Sequence, residues 1–132
     1  MTRPIEFAAE MHAECFPNKP WTVQDFEGLE KSGARIVASD DGFIVWRVVG
    51  DDAEIITIGV RPNARRRGVA IAMIAAMEKE LSKKGVSKIF LEVAVDNIAA
   101  IKLYEKNAFV RVGRRPKYYD GIDGVIMEKR IS

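Results

Sequence analysis

The feature that most constrains the fold is a strand–helix–strand pattern in the middle of the chain. Residues 53–60 are rich in β-branched side chains, which favours a strand. Residues 69–84 carry apolar side chains at helical spacing, which predicts a helix closed by Gly85. Residues 86–95 are an almost unbroken apolar run, which predicts a central strand covered on both faces. Because a helix crosses between them, the two strands are expected to run parallel.

The rest of the chain predicts helices and antiparallel strands around this unit. Helices are predicted over 5–15, from an N-cap at Thr22 to about Ser32, and from an N-cap at Asn97 to about Lys106. Strands are predicted at 34–39, 43–49, 109–114 and 124–130, with a loop over 115–123. The order predicts an α/β (α+β) fold, with a mixed, mostly antiparallel sheet of about six strands and about four helices.

Composition limits the class of protein. A chain of 132 residues supports one domain, 1–132. No stretch approaches the roughly 20 apolar residues of a membrane span, so no membrane partner is expected. The single cysteine, Cys15, cannot form an internal disulfide, which favours the cytoplasm. A net charge of +2 does not indicate a nucleic-acid partner, whereas the local arginine clusters favour a phosphate-bearing ligand.

The junction between strand 53–60 and the following helix is the strongest local signal. It reads Arg65-Arg66-Arg67-Gly68-Val69-Ala70. A helix that begins with small residues exposes several backbone N–H groups, and the helix dipole favours an anion there. From spacing alone, a solvated loop with an ordinary turn at Gly68 explains the segment about as well as phosphate binding does. It matches neither the P-loop nor the three-glycine dinucleotide pattern.

Three polar residues follow on the second strand and the next helix. Glu92 lies inside the apolar run, so it lines a cleft, has a raised pKa, or pairs with Lys88 or an arginine. Asn97 is interpreted as a helix N-cap, and Tyr104 as either functional or a packing residue with its hydroxyl in water. His12 is interpreted as a helix-surface or packing residue. No second histidine is present to build a metal site with it, and none is expected.

Taken together, several motifs resemble one family. They are Arg65-x-x-Gly68-x-Ala70 after a strand, Leu91-Glu92-Val93 followed by Asn97, and Ala100-Ile101-x-Leu103-Tyr104-Glu105 ending at Phe109. Their order and spacing resemble the GNAT N-acetyltransferases. Within that family the chain is similar to the bacterial ribosomal-protein-alanine N-acetyltransferases (RimI-like). Phe16 to Trp21 before a helix, and Arg114-Arg115-x-x-Tyr118-Tyr119 with Asp123, support the subfamily.

The resemblance implies a sheet splayed between the two parallel strands, with acetyl-coenzyme A in the opening. It implies Glu92 as proton acceptor and Tyr104 as proton donor. If Glu92 proved to be structural, Glu54 on the neighbouring strand would be the next candidate. An acceptor groove is expected to be lined by Trp21, Tyr118 and Tyr119. The residues implied to bind the cofactor are Ile58, Gly59, Val60, Arg65, Arg66, Arg67, Gly68, Val69, Ala70, Ile71 and Asn97.

The chain departs from the family pattern in three places. There is no room for a strand before the first helix. Ala108 replaces the glycine usual before Phe109, so Asn107 is expected to take the left-handed conformation. The 120–124 loop is short and lacks an acidic pair, which weakens the substrate assignment. The acceptor is therefore a protein N-terminus, or alternatively a small amine or a lysine. A non-enzymatic acyl-coenzyme A-binding module is a third reading, and the oligomeric state is not predicted.

Overall fold

A computed structural model describes residues 4–119 and 121–131, with the backbone alone at 118 and 119. Within these residues the helices are α1 (Pro4–Cys15), α2 (Val23–Lys31), α3 (Val69–Ser82) and α4 (Ile98–Lys106), with a short 3-10 turn at Pro62–Ala64. The strands are β1 (Arg35–Ala38), β2 (Gly42–Val49), β3 (Asp52–Val60), β4 (Lys88–Ala94), β5 (Val110–Tyr119) and β6 (Ile122–Arg130). None of the described helices is both long enough and apolar enough to cross a membrane.

The six strands form one sheet in the order β1-β2-β3-β4-β6-β5. All neighbours are antiparallel except β3 and β4, which confirms the predicted parallel pair. The parallel pairing is short and ends where Glu54 lies opposite Phe90. Beyond that point β3 runs on to Val60 and β4 to Ala94 without pairing to each other. The sheet is therefore splayed between its two central strands, as the family resemblance implied.

The helices cover the two faces of the sheet unequally. Strand β2 alternates, so that Phe43 and Val45 pack with α1 and α2, whereas Ile44 and Trp46 pack on the opposite face with α3 and α4. On the first face, α1 packs over β1, β2 and β3. Helix α2 begins at a capping box, in which the Thr22 side chain accepts a hydrogen bond from the Asp25 backbone N–H. The predicted cap at Thr22 is therefore confirmed.

The prediction that strand 86–95 is covered on both faces is wrong. Ile89, Leu91 and Val93 are buried, but the alternate residues of β4 are only half-buried. The reason is that α1 and α2 pack over β1 to β3 on that face, so β4 is left at its margin. Although the sequence of β4 is apolar almost throughout, one of its two faces is therefore only half-buried. That face is open enough to carry a functional side chain.

The predicted loop over 115–123 is also wrong for the residues described. Strands β5 and β6 continue through most of it, with Arg115 opposite Gly124 and Tyr119 opposite Ile122. The register shifts between Arg115 and Tyr119, and Lys117 has a φ of 51°. Strand β5, which contains Pro116, is the edge strand of the sheet. A proline is tolerated in an edge strand or at a bulge, where no ladder hydrogen bond is needed from its nitrogen.

The end of α4 corrects the expectation for Asn107. Asn107 has a φ of −106°, and Ala108 instead takes the left-handed conformation, with a φ of 73°. The N–H of Phe109 donates to the Tyr104 carbonyl, and the N–H of Ala108 donates to the Glu105 carbonyl. These two bonds define a Schellman motif, whose left-handed position is fixed by counting from the last helical residue. In this helix the left-handed position is residue 108, so Ala108 adopts it even though asparagine, at 107, tolerates that conformation better.

Candidate active site

The site is the cleft that opens where β3 and β4 separate. Its volume is about 430 Å³, which is in the range of small-molecule sites. It is lined by the unpaired parts of both strands, by the start of α4 and by the connection between α1 and α2. The lining residues are His12, Phe16, Lys19, Trp21, Ile55, Ile56, Thr57, Ile58, Leu91, Glu92, Val93, Ala94, Asn97, Ala100 and Tyr104.

The backbone of β3 provides hydrogen-bonding groups on the cleft side. The N–H of Arg61 donates to the Asp41 carbonyl, on the side of β2. Because backbone groups alternate along a strand, the N–H groups of Val60 and Ile58 point the other way, towards the opening. The Val60 carbonyl accepts from Cys15 Sγ at 3.2 Å and from Arg65 Nε at 3.1 Å. The Val60 N–H is therefore the donor that this end of β3 offers to a ligand.

Gly59 lies between Ile58 and Val60, where neighbouring side chains leave no space for a Cβ. A Cβ built at Gly59 would lie 2.6 Å from Phe43 Cε1 and 3.1 Å from Cys15 Sγ. Any side chain would displace the buried Phe43 ring and push α1 away from β3. Gly59 thus keeps the end of β3 close to α1, although its contact with a cofactor stays a prediction.

The segment before α3 has the features of an anion site. Gly68, the N-cap residue, has a φ of 76°, and no side chain among the described residues caps the helix. The first-turn N–H groups, from Val69, Ala70 and Ile71, are those a helix leaves without intrahelical partners. A Cβ built at Gly68 would have nothing within 4 Å, so the approach is unobstructed. These features fit the pyrophosphate of coenzyme A.

The three arginines before Gly68 are not equivalent. Arg65 donates from Nε to the Val60 carbonyl, so its side chain ties the loop to the end of β3. Arg66 adopts a left-handed conformation, with a φ of 66°, and together with Arg67 it is exposed. A left-handed turn next to a helix N-terminus directs successive N–H groups towards one side, which adds to the anion site. Direct phosphate contact is therefore best supported for Arg66 and Arg67.

Glu92 satisfies two of the alternatives that the sequence left open. It lines the cleft, and its Oε1 lies 3.2 Å from Nη2 of Arg115 on β5. The Glu92 side chain is 17% exposed, whereas that of Arg115 is 54% exposed, so water screens the pair. A Cβ at Gly124, on the neighbouring strand, would overlap the Glu92 carboxylate. Glycine at 124 is therefore what leaves room for this side chain.

Glu54, the second candidate for proton acceptor, lies elsewhere. It sits at the paired end of β3, opposite Phe90, and its Oε1 is 3.0 Å from Nη2 of Arg47. It does not line the cleft. Its position therefore does not support a role for Glu54 as proton acceptor. Among the residues described, Glu92 is the carboxylate that lines the cleft.

Tyr104 reaches the cleft from the opposite face of the sheet. Its ring belongs to the core between the sheet and α3 and α4, and it packs edge-on against Phe109 with centroids 5.7 Å apart. Burial raises the pKa of the Tyr104 hydroxyl to about 12. The phenol therefore stays protonated at neutral pH and can donate a hydrogen bond. The packing alternative agrees with this burial, since Tyr104 is only 7% exposed, and the residue also lines the cleft.

Asn97 caps α4 as predicted. Its Oδ1 accepts a hydrogen bond from the Ala100 N–H at 3.3 Å, and the residue also lines the cleft. The cap uses the amide oxygen, so Nδ2 is the group that can donate to a ligand in the cleft. Capping and cofactor binding are therefore compatible in this side chain.

The α1–α2 connection forms one wall of the cleft. Trp21 and Phe16 line it, and so does His12, which sequence analysis had interpreted only as a surface or packing residue. His12 is 3% exposed, so the packing alternative holds, but its place in the wall was missed. The spacing of His12 and Phe16, one helical turn apart before a proline-rich stretch, was the available signal. The side chains of Tyr118 and Tyr119, the other predicted groove residues, lie outside the described residues.

Comparisons with known proteins agree with this geometry. Residues 5–109 match the Acetyltransferase (GNAT) family. The chain is 32% identical to the ribosomal protein bS18-alanine N-acetyltransferase of Escherichia coli (strain K12), over 98% of this chain and 91% of that protein. The crystal structure of the E. coli enzyme superposes with a TM-score of 0.86 at 30% identity, over 97% of this chain and 88% of that one.

Two further solved structures are similar. Ard1 from Thermoplasma volcanium has a TM-score of 0.84 at 27% identity, over 98% of this chain and 92% of that chain. An acetyltransferase from Bacillus anthracis, in complex with acetyl-coenzyme A, has a TM-score of 0.64 at 28% identity, over 68% and 55% of the two chains. The family match and the full-length likeness lead to one conclusion: the chain belongs to the GNAT family and is an acetyl-CoA-dependent N-acetyltransferase.

Proposed function

We propose that this enzyme acetylates the N-terminal α-amine of a protein, such as a ribosomal protein. One observation carries the proposal: the cleft has a carboxylate on the α1–α2 face and a protonated phenol on the opposite face, with Glu92 and Tyr104 in these places. An amine that enters on one side can then lose its proton to a different group from the one that meets the departing sulfur. Similarity to a ribosomal protein bS18-alanine N-acetyltransferase over nearly the whole chain supports a protein acceptor.

The cofactor would lie along the unpaired end of β3. Its pyrophosphate would be held by Arg66, Arg67 and the first N–H groups of α3, and its pantetheine arm by Ile58 and Asn97. Acetyl-coenzyme A supplies an activated acyl group, a thioester. We place the reaction in the cytoplasm as part of the same proposal, supported by Cys15, which is a free thiol.

The residues of the cleft would divide the proton transfers. Glu92 accepts a proton from the ammonium group, because only the neutral amine can attack a carbonyl. The N–H of Val60 donates to the carbonyl oxygen, on which negative charge develops as the C–N bond forms. The C–S bond then breaks, and the sulfur takes up one proton. The ammonium loses two protons in all, so one is released to solvent.

Tyr104 would stabilise the departing sulfur chiefly through a hydrogen bond. The pKa of its hydroxyl is about 12, whereas a thiol has a pKa of about 8.5, so full proton transfer to the thiolate is uphill. A hydrogen bond from a protonated phenol in a buried site nevertheless stabilises the developing negative charge. The proton released by the amide nitrogen can then reach the sulfur through Tyr104 without leaving a phenolate behind.

An acceptor panel tests the proposal. The enzyme would be incubated with acetyl-coenzyme A and with peptides that begin with alanine, serine or methionine, and coenzyme A release would be measured. Matched controls are the same peptides with a blocked N-terminus and an internal lysine, and a set of polyamines. We expect acetylation of the open N-termini alone. Transfer confined to lysine side chains or polyamines would refute the proposed acceptor while leaving the acetyltransferase chemistry intact.

A further inference from the structure

The α1–α2 connection, residues 16–22, carries the aromatic wall of the cleft on a segment with few backbone hydrogen bonds. Pro17 and Pro20 have no N–H to donate. The Phe16 N–H donates to the His12 carbonyl, and the Lys19 N–H to the Phe16 carbonyl. The Trp21 N–H makes its bond to a side chain, Nδ1 of His12, at 3.0 Å. Trp21 therefore depends on His12 for its position.

His12 also holds the Trp21 ring. The two rings are stacked, with centroids 4.6 Å apart and an interplanar angle of 16°. Phe16 lies against the other side of the cluster, at 4.6 Å from the His12 ring, and Phe26 and Phe43 close it from α2 and β2 at 5.8 Å. One side chain thus fixes both the backbone and the ring of Trp21, and it contacts Phe16, the second aromatic residue of the wall.

We propose that His12 is a positioning residue for the acceptor, which holds Trp21 and Phe16 in the wall against which the incoming protein N-terminus binds. The proposal rests on the proposed function, because it concerns the acceptor side of that same cleft. His12 acts through Trp21 and Phe16. Its loss should therefore weaken acceptor binding and leave cofactor binding, which the proposed function assigns to other residues, almost unchanged.

The hydrogen bond also sets the charge state that the wall requires. Since Nδ1 accepts, the ring must be neutral, with its proton on Nε2. Burial lowers the pKa of His12, and Asp25 of α2 opposes this shift. The other titratable side chains that line the same cleft are those of Lys19, Glu92 and Tyr104. Below the pKa of His12 both ring nitrogens are protonated, the bond from Trp21 is lost, and the wall should loosen.

Two variants separate the contributions of the ring. His12→Phe keeps an aromatic ring but removes the acceptor, whereas His12→Asn keeps an acceptor at the position of Nδ1 but does not titrate. For His12→Phe we expect the KM for the peptide to rise about three- to tenfold, the effect of one lost hydrogen bond, with kcat and the Kd for coenzyme A changed less than about twofold. Ile5→Ala, at the other end of α1 in the same core, is the control for lost stability.

Two readouts do not depend on turnover. Hydrogen exchange at the Trp21 backbone amide should accelerate at least about tenfold in His12→Phe and much less in His12→Asn. Binding of the acetylated product peptide, which has no amine to titrate, should weaken in the wild type as the pH falls through the pKa of His12, which burial places below the ordinary histidine value of about 6.5. In His12→Asn this pH dependence should be reduced relative to the wild type, because asparagine does not titrate. This pH series serves even where His12→Phe does not fold.

The outcomes are distinct. An unchanged peptide KM in His12→Phe, or an equal rise in Ile5→Ala, overturns the proposal, as does an identical pH dependence in the wild type and His12→Asn. A wild-type enzyme that acetylates only lysines or polyamines overturns the proposed function instead. In that case the same KM comparison on the active acceptor still decides the role of His12.

Discussion

The two ends of the proposed site are built in different ways. The proposed cofactor end consists of main-chain groups: the N–H groups at the start of α3, which lie outside the lining of the cleft, and those of Ile58 and Val60. The acceptor end consists of side chains, chiefly the cluster of His12, Phe16 and Trp21 on a connection with few backbone bonds. Main-chain groups tolerate many sequences and bind one constant ligand. Side chains can be exchanged, so the acceptor end is where specificity can change without loss of the cofactor.

Glu92→Gln should have the largest effect, because Glu92 is the proposed proton acceptor. We expect turnover to fall by about 10³-fold at neutral pH, with both ligands still bound. Activity should recover partly as the pH approaches 8, the pKa of an α-amine, whereas a lysine acceptor would require a pH near 10.4. A pH–rate series on both enzymes measures this.

Two controls separate charge from position. Glu54→Gln removes a carboxylate from the paired end of β3 and should leave turnover nearly normal. Arg115→Gln removes the ion pair but keeps the carboxylate, so it should cost less than Glu92→Gln. An undiminished rate in Glu92→Gln would make the residue structural.

Tyr104→Phe should follow, with turnover reduced by about 10²-fold and the affinity for coenzyme A little changed. The buried ring and its contact with Phe109 survive, so the melting temperature should stay close to that of the wild type. Single-turnover measurements would separate this step from product release. If turnover were close to normal, the Tyr104 hydroxyl would have no part in stabilising the sulfur.

Gly68→Glu isolates the cofactor end. It places a bulky negative side chain at the anion site, so the Kd for coenzyme A should rise at least tenfold, or about 1.4 kcal/mol. Gly68→Ala is the matched control, since it adds the same left-handed strain without charge. Calorimetry on both variants measures the difference. Equal affinities for the two would place the pyrophosphate elsewhere.

Ala108→Gly should have the smallest effect and should touch neither end. Ala108 is exposed and left-handed, a conformation that glycine adopts without the Cβ penalty. We expect a gain of about 0.5–1 kcal/mol in the free energy of unfolding, seen as a slightly higher melting temperature, with unchanged kinetics. A lower melting temperature would mean that the unfolded chain gains more freedom than the folded state loses strain.

The cofactor end was more predictable from the sequence than the acceptor end. The strand, the arginine-rich turn and the helix around Gly68 are local, so their pattern survives in one stretch of sequence. That Glu92 lines the cleft was one of the alternatives left open by a single carboxylate in an apolar run. The place of His12 in the wall was missed because it arises from contacts with Trp21 and Phe43, and periodicity carries no information about such contacts. The extension of β5 and β6 into the predicted 115–123 loop was missed because a proline is compatible both with a loop and with an edge strand.

The short parallel ladder between β3 and β4 also bears on how the molecule assembles. The first three strands are joined by local hairpins, whereas β4 meets β3 through a few residue pairs after a long crossover. Closing such a loop costs chain entropy before the strand-pairing contacts form to offset it. Docking of the two half-sheets, β1-β2-β3 and β4-β6-β5, should therefore be a late event in folding. A ligand that bridges both half-sheets would then act as a clamp, adding RT ln(1 + [L]/Kd) to the work needed to part them.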